Sequence, residues 1–200
     1  MPMIHSTAVV DPGAYVGHET FVWHYCHIMA GAHVGARCVL GQNCFVGGKV
    51  RIGDGCRIQN NVSLYDGVVL DREVFVGPSA VFTNVPHPRA AFPKERSHFG
   101  KTYVAAGATI GANATILSNL SIGSNAMVGA GAVVTRSVPA YALVLGAPAR
   151  IVGWVCACGE TLFHELPREP TTFTCDHCAR HYGWTANDGL RAETADEISS

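Results

Sequence analysis

The stretch VLGQNCFVGGKVRIGDGCRIQNNVSLYDGVVL, residues 39–70, repeats itself every six positions. Leu40, Val46, Ile52, Ile58, Leu64 and Leu70 form a row of large aliphatic residues. Four positions after each row member stands a smaller residue, namely Cys44, Val50, Cys56, Val62 and Val68. Counting back by six adds Val34, Ile28, Val22, Val16, Val10 and Ile4, and counting forward adds Val76 and Phe82, which makes fourteen in an unbroken series. After an interruption the series resumes at Val104 and runs through Ile110, Ile116, Ile122, Val128 and Val134, so twenty hexads cover most of the first 139 residues.

A period of six fits neither a helical stripe nor the two-residue alternation of an isolated strand; it marks a hexapeptide parallel β-helix. Three hexads make one triangular coil, so residues eighteen apart stack. The row residue points inward, and the fourth residue after it must be small because three faces converge there. Outside the opening stretch that position reads Ala8, Ala14, Thr20, Cys26, Ala32 and Cys38, then Val74, Ala80, Ala108, Ala114, Leu120, Ala126, Ala132 and Val138, of which only Leu120 is large. Glycine often follows the row residue, as at Gly35, Gly41, Gly53, Gly77 and Gly111, where a permissive backbone is expected at the corner. Nearly seven coils at about 4.8 Å each give an all-β prism roughly 30 Å tall. Each inward aliphatic side chain contributes about 1.5–3 kcal/mol against a backbone ordering cost of similar size, so the stack is cooperative and a lone coil would not fold.

The chain has 200 residues, 48% hydrophobic and 14% charged, which suits one compact domain with a small appendage. A net charge of -1 argues against nucleic acid as a partner. The N-terminus meets Asp11 and Pro12 before an apolar segment develops, and no apolar run approaches the ~20 residues of a membrane span. The expectation is a cytoplasmic protein without a membrane partner.

The eight cysteines fall into two groups. Cys26, Cys38, Cys44 and Cys56 occupy the small inward position and read as reduced core residues. Cys156, Cys158, Cys175 and Cys178 lie beyond the repeat as CAC, sixteen intervening residues, then CDHC. Two close pairs separated by a hairpin-sized spacer suit a zinc ribbon, and four thiolates make a closed, structural Zn2+ site. His164, His177 and His181 stand near enough in sequence to replace a thiolate.

From Phe82 to Val104 is 22 residues, not a multiple of six, so the chain leaves the prism there. This segment carries Arg89, Lys94, Arg96 and Lys101 against Glu95 alone, a charge suited to phosphates. The expected organisation is a β-helix domain over residues 1–153 with a loop over 85–103 projecting from it, a zinc ribbon over 154–184, and a flexible tail over 185–200.

Stacking by eighteen places Asn84 over Asp66 at the mouth of the basic loop, close in sequence to Tyr65 and to Gln59, Asn60 and Asn61. The plainer reading of the asparagines is a ladder that satisfies turn carbonyls. His24, which stacks under Gln42 and Asn60, and His27 are candidate general bases, since imidazole titrates in the right range; as surface histidines they need no such duty.

The strings WHYCHI (23–28), LGQN (40–43), IQNNVSLYDGV (58–68), VFTNV (81–85), GATIGANATI (107–116), GAGAVVT (129–135) and GAPAR (146–150) resemble the sugar-nucleotide 3-N-acetyltransferases, and within them the UDP-2-acetamido-3-amino-2,3-dideoxy-glucuronate N-acetyltransferases of bacterial surface-polysaccharide synthesis. GAGA and GxPAR specify only hexapeptide acyltransferases, whereas QNNVSxYD and VFTNV are more selective. The similarity spans residues 4 to about 154. It implies a left-handed β-helix, a homotrimer with sites in the grooves between subunits, acetyl-CoA as cosubstrate, and the C3 amine of a nucleotide-linked sugar as acceptor. It places the catalytic burden on Asn84 rather than on a histidine. His87 stands where the family commonly has asparagine, and the cysteine ribbon is absent or degraded in some relatives, so transfer itself needs no zinc.

These readings combine into direct attack of a neutral amine on the thioester, with no acyl-enzyme. Asn84 holds the amine in line, and Asp66 positions Asn84 or takes the proton. Tyr65, Asn60, Arg89 and His24 are candidates for the sugar nucleotide. Gly111, Ala112 and Ala130 let the pantetheine arm approach backbone amides, with Lys101 and Arg150 for the coenzyme phosphates. A dTDP-linked 3-amino-6-deoxy sugar is an equally compatible acceptor. A γ-type carbonic anhydrase would need three converging histidines, and the coils after His33 hold none. A non-enzymatic trimeric scaffold is the alternative of another class, and it predicts no coenzyme binding.

Overall fold

The computed structural model describes residues 1–165, 167–186 and 189–193. Short strands joined by tight turns wind the chain into a three-sided parallel coil. The first face carries Met3–Ile4, Phe21–Val22, Val39–Leu40, Arg57–Ile58, Phe75–Val76, Thr109–Ile110 and Met127–Val128. The second carries Val9–Val10, His27–Ile28, Phe45–Val46, Ser63–Leu64, Val81–Phe82, Thr115–Ile116 and Val133–Val134. The third carries Tyr15–Val16, His33–Val34, Arg51–Ile52, Val68–Leu70, Thr102–Val104 and Leu120–Ile122. This is the all-β solenoid read from the six-residue period, consistent with the left-handed coil of the hexapeptide type.

Stacked partners lie eighteen residues apart, as in Phe21↔Val39 and Phe45↔Ser63. Across the interruption the separation becomes 34, as in Val68↔Thr102, Phe75↔Thr109 and Val81↔Thr115. Sixteen residues are thus inserted without displacing any face. Thr102 and Tyr103, expected within the projecting loop, belong to the third face because they pair in register with Val68 and Val69. Later the separation shortens to sixteen: Val138 bridges Ile122, and Leu143 pairs with Met127. Val138 therefore takes the large inward row, not the small position expected of it, because the turn before it is two residues shorter.

The glycines that follow row residues have a different cause from the one expected. Gly35, Gly53, Gly77 and Gly111 are absent from the left-handed region. A Cβ on Gly77 would stand 2.6 Å from the Ala112 nitrogen, and one on Gly111 2.5 Å from the Ala130 nitrogen. Stacked backbones leave no room there for a side chain. Positive φ occurs two positions later, at Asn43, Asn61, Asn113 and Asn125, where asparagine is well tolerated, and also at Glu19, Tyr25, Arg37 and Glu73.

The four core cysteines do more than fill space. Each thiol donates to the carbonyl fifteen residues ahead, Cys26 to Gly41 (3.0 Å), Cys38 to Gly53 (3.1 Å), Cys44 to Gln59 (3.2 Å) and Cys56 to Asp71 (3.0 Å), and Thr20 makes the same bond to Gly35 (2.7 Å). The stacked sulfurs of Cys26 and Cys38, followed by burial, push the Cys44 and Cys56 thiols well above the ordinary range. All four are at most 2% exposed. Iodoacetamide is expected to leave them unmodified in the native protein and to modify all four in guanidinium; mass-resolved labelling of any one under native conditions would contradict a closed core.

The two ends of the prism differ. None of the described residues packs beneath the first coil, so Ile4 remains 40% exposed although it points inward. The other end is covered by Ala142–Leu145, Arg150–Val155 and Thr161–Phe163, which extend the first face and bury Trp154. A separate antiparallel sheet follows, Thr171–Thr174, His181–Thr185 and Gly189–Ala192. Part of the expected tail is thus a strand, because Leu190 is buried opposite Trp184; residues 187–188 and 194–200 of that tail lie outside the described residues. Among the described residues no helix is long and apolar enough to cross a membrane.

Candidate active site

The corner between the second and third faces assembles most of the expected chemistry. Ser63 pairs with Val81, which sets Asn84 above Asp66 as the stacking arithmetic requires. Asn84 Nδ2 donates to the Asp66 backbone carbonyl at 3.4 Å, and the Asn84 backbone carbonyl accepts the Gly100 N–H at 2.7 Å, closing the inserted loop. Asp66 Oδ1 accepts the Lys49 backbone N–H at 3.1 Å. Asn84 Oδ1 and Asp66 Oδ2 carry no hydrogen bond among the described residues. Between corner and loop lies an open cleft of 390 Å³ lined by Asp66, Gly67, Val69, Phe99, Lys49, Arg96, Ser97 and Lys101. Three cations and one half-buried carboxylate thus line the same cleft, a setting that attracts anions.

Higher on the same corner Ser118 stacks above Asn84 and Arg136 above Ser118, about 10 Å up the prism from Asn84. Arg136 lines a second cleft, of 290 Å³, with Thr135, Ser137, Ala149 and Arg150. Tyr65 is exposed beside Asp66, its ring 5.8 Å from Phe45, and Arg89 is exposed on the loop.

The remaining expected residues stand on another corner, between the first and second faces. His24, Asn60, Ala112 and Ala130 stack in one column there, with Gly111 beside Ala112. Asn60 Oδ1 accepts the Gln42 N–H at 2.8 Å and Asn43 Nδ2 donates to Asn61 Oδ1 at 3.1 Å, so the asparagines form a ladder that satisfies a turn N–H and not the turn carbonyls expected of it. His24 packs against His5, with ring centroids 3.6 Å apart and the planes tilted by 31°. His27 is tied to Asp11, Nε2 to Oδ1 at 3.1 Å, on the second face. The structure therefore does not bring Lys101 together with Gly111, Ala112 and Ala130; the insertion returns to the corner it left, and Lys101 returns with it.

Lys49 and Arg136 were not singled out from the sequence, and Arg96 only as one of the loop's four cations. Counting by eighteen finds two of them, since Lys49 falls under Gly67 and Arg136 over Ser118. Arg96 sits on a non-repeating loop, where no count applies.

Cys156, Cys158, Cys175 and Cys178 converge at the far end, all four Sγ atoms within 4.8 Å of one another. His164, His177 and His181 lie outside that group.

Residues 13–48 and 101–136 match the family described as bacterial transferase hexapeptide (six repeats), and residues 31–66 match the hexapeptide repeat of succinyl-transferase. The solenoid is built of hexapeptide repeats. Over 64 residues this hexapeptide chain is 42% identical to dTDP-3-amino-3,6-dideoxy-alpha-D-galactopyranose 3-N-acetyltransferase from Aneurinibacillus thermoaerophilus, a stretch covering 32% of the chain and 33% of the relative. Solved structures similar to it include the acetyltransferase domain of PglB from Neisseria gonorrhoeae in complex with acetyl coenzyme A, at 21% identity and TM-score 0.47 over 75% of this chain and 57% of that one. PerB from Caulobacter crescentus in complex with CoA and GDP-perosamine is 23% identical, with TM-score 0.40 over 76% and 57%. The chain thus spans about a third of the curated relative and little more than half of these structures.

Proposed function

We propose that the chain is an acetyl-CoA-dependent acyltransferase of the cytoplasm that acetylates the C3 amine of a nucleotide-linked amino sugar for bacterial surface polysaccharide. The observation that carries this reading is the corner where Asn84 stacks on Asp66, whose carboxylate lines a cationic cleft, with Asn84 Oδ1 and Asp66 Oδ2 free of hydrogen bonds among the described residues. Two free acceptors on stacked residues of one corner suit the N–H groups of an attacking amine. The local identity to a sugar-nucleotide 3-N-acetyltransferase supports the same chemistry.

In the reaction the amine nitrogen forms a C–N bond to the thioester carbonyl carbon, the C–S bond breaks, and the amine proton passes through Asp66 or water to the departing coenzyme thiolate. Alignment of two bound reactants removes up to ~7–11 kcal/mol from the barrier, and a backbone N–H at the oxyanion contributes about 3 more. The buried core cysteines offer no nucleophile, so no acyl-enzyme is needed.

The reading requires a homotrimer. The two groups of site residues stand at opposite edges of the second face and do not meet within one chain. The outward positions of that face, Val9, His27, Phe45, Ser63, Val81, Thr115 and Val133, include no Lys, Arg, Asp or Glu. Packing through it sets the His24, Asn60, Gly111, Ala112 and Ala130 corner of one copy against the Tyr65, Asp66, Asn84 and Lys101 corner of the next. Pantetheine then runs beside Gly111, Ala112 and Ala130 toward Arg136 and Arg150, and the sugar nucleotide reaches Tyr65, Arg89 and Lys101. Zinc at the cysteine cluster takes no part in transfer.

Lys49, Arg96 and Lys101 around the cleft favour a UDP-linked uronate, whose carboxylate adds to the phosphate charge. The curated relative's name favours a dTDP-linked 3-amino-dideoxy sugar. Thiol release from acetyl-CoA, measured with both acceptors side by side, is expected to be faster with the uronate. A reversed preference would assign the dTDP sugar, and silence with both despite coenzyme binding would overturn the acceptor class.

A further inference from the structure

We propose that Cys156, Cys158, Cys175 and Cys178 bind one zinc ion, and that this ion is the joint that fastens the terminal three-stranded sheet to the end of the solenoid. The proposal is independent of the transferase reading. The Cys156 and Cys178 sulfurs lie 3.4 Å apart and those of Cys158 and Cys175 3.7 Å, with all four within 4.8 Å. Zn–S bonds of about 2.3 Å at tetrahedral angles put sulfurs about 3.8 Å apart, whereas a disulfide needs about 2.05 Å. The spacing fits four ligands around one centre better than two covalent pairs.

The backbone prepares both pairs. In the first turn Cys156 N–H donates to Glu160 (2.8 Å) and Gly159 N–H to Cys156 (2.9 Å); in the second, Cys175 N–H donates to Arg180 (2.9 Å) and Ala179 N–H to Cys175 (2.8 Å). Left-handed residues, Gly159 at φ 98° and Ala179 at φ 56°, close the two turns. Tyr182, wholly buried, accepts the Ala157 N–H at 3.0 Å, and its hydroxyl lies 3.1 Å from the Cys156 sulfur, where it donates to the thiolate and holds that ligand in place.

The two turns belong to different sheets. Cys156 and Cys158 sit on the hairpin between Arg150–Val155 and Thr161–Phe163, which continues the first face, whereas Cys175 and Cys178 sit between Thr171–Thr174 and His181–Thr185. No strand pairing joins these sheets among the described residues. Two aromatic contacts do, Phe163–Phe173 at 4.2 Å and Tyr141–Tyr182 at 5.5 Å, together with the Tyr182 hydroxyl's contacts with Ala157 and Cys156 and the sulfur cluster. A bound ion supplies the strongest of these links.

Metal analysis of the protein purified without chelator is expected to find one zinc per chain. Exchange for Co2+ should give the intense thiolate charge-transfer and visible bands of a tetrahedral four-sulfur site, and Cys178→Ser should weaken them. Tyr182→Phe should keep the ion but lose it to chelator at roughly 10–100-fold lower concentration. Stripping the ion under reducing conditions should speed tryptic cleavage at the exposed Arg168 at least tenfold while the solenoid stays folded. Metal-free protein that gives no Co2+ spectrum, or two disulfides found by mass spectrometry, would overturn the site. Unchanged cleavage at Arg168 after stripping would overturn its role as a joint.

Discussion

Asn84→Ala is expected to lower kcat by roughly 10²–10³-fold, the scale of losing one positioned hydrogen-bonding group at a reacting centre. The substitution is structurally mild. The loop-closing bond from Gly100 uses the Asn84 backbone carbonyl, which alanine keeps, and among the described residues the only side-chain bond lost is the long 3.4 Å contact to Asp66. Thermal stability and the coenzyme Kd should therefore change little, so a fall in kcat would report chemistry and not unfolding. Steady-state kinetics at saturating acetyl-CoA makes the comparison, and unchanged turnover would remove Asn84 from the mechanism.

Phe45→Lys is expected to abolish transfer almost completely by separating the subunits of the proposed trimer. Phe45 lies mid-way along the second face, half-buried between His27 and Tyr65 at 5.8 Å each. Three lysines, one from each copy, would be forced into apolar contact, and burying an unpaired charge costs several kcal/mol. Sedimentation should shift from three times the 21.2 kDa chain mass to a single chain mass. The solenoid should survive, because the side chain points away from the core. Refolding Asn84→Ala chains together with Ala130→Arg chains supplies a second readout: grooves that draw one good corner from each parent regain activity if the site is shared, and a mixture no better than its parents would place the whole site within one chain.

The repeat was readable because burial acts on every coil alike: each row residue from Val22 to Val134 lies in the core. The stacking of Asn84 on Asp66 was readable for the same reason, since a constant eighteen-residue coil turns sequence distance into height. Irregular features escaped the count. Val138 changed rows because a turn lost two residues, which no composition signal marks. The left-handed conformations of Glu19, Tyr25, Arg37 and Glu73 are imposed by the coil on residues that do not favour them. The need for glycine at Gly77 arises from a backbone 34 residues away, so it looked like a local turn preference. Arg96 entered the cleft through a loop with no period to read. The strand at Gly189–Ala192 was hidden by its brevity and polar neighbours.

The inserted segment leaves the prism at Asn84 and re-enters at Gly100, two residues that rest over the same aspartate and bond to each other. Its exit and entry therefore coincide, and its contour adds nothing to the height of the stack. Lengthening such a segment costs only about 0.6 kcal/mol per doubling in closure entropy. The fold thus offers a graft point: a loop of different length and charge, closed by the same backbone bond, can reshape the cleft beside Asp66 while every coil above and below keeps its register.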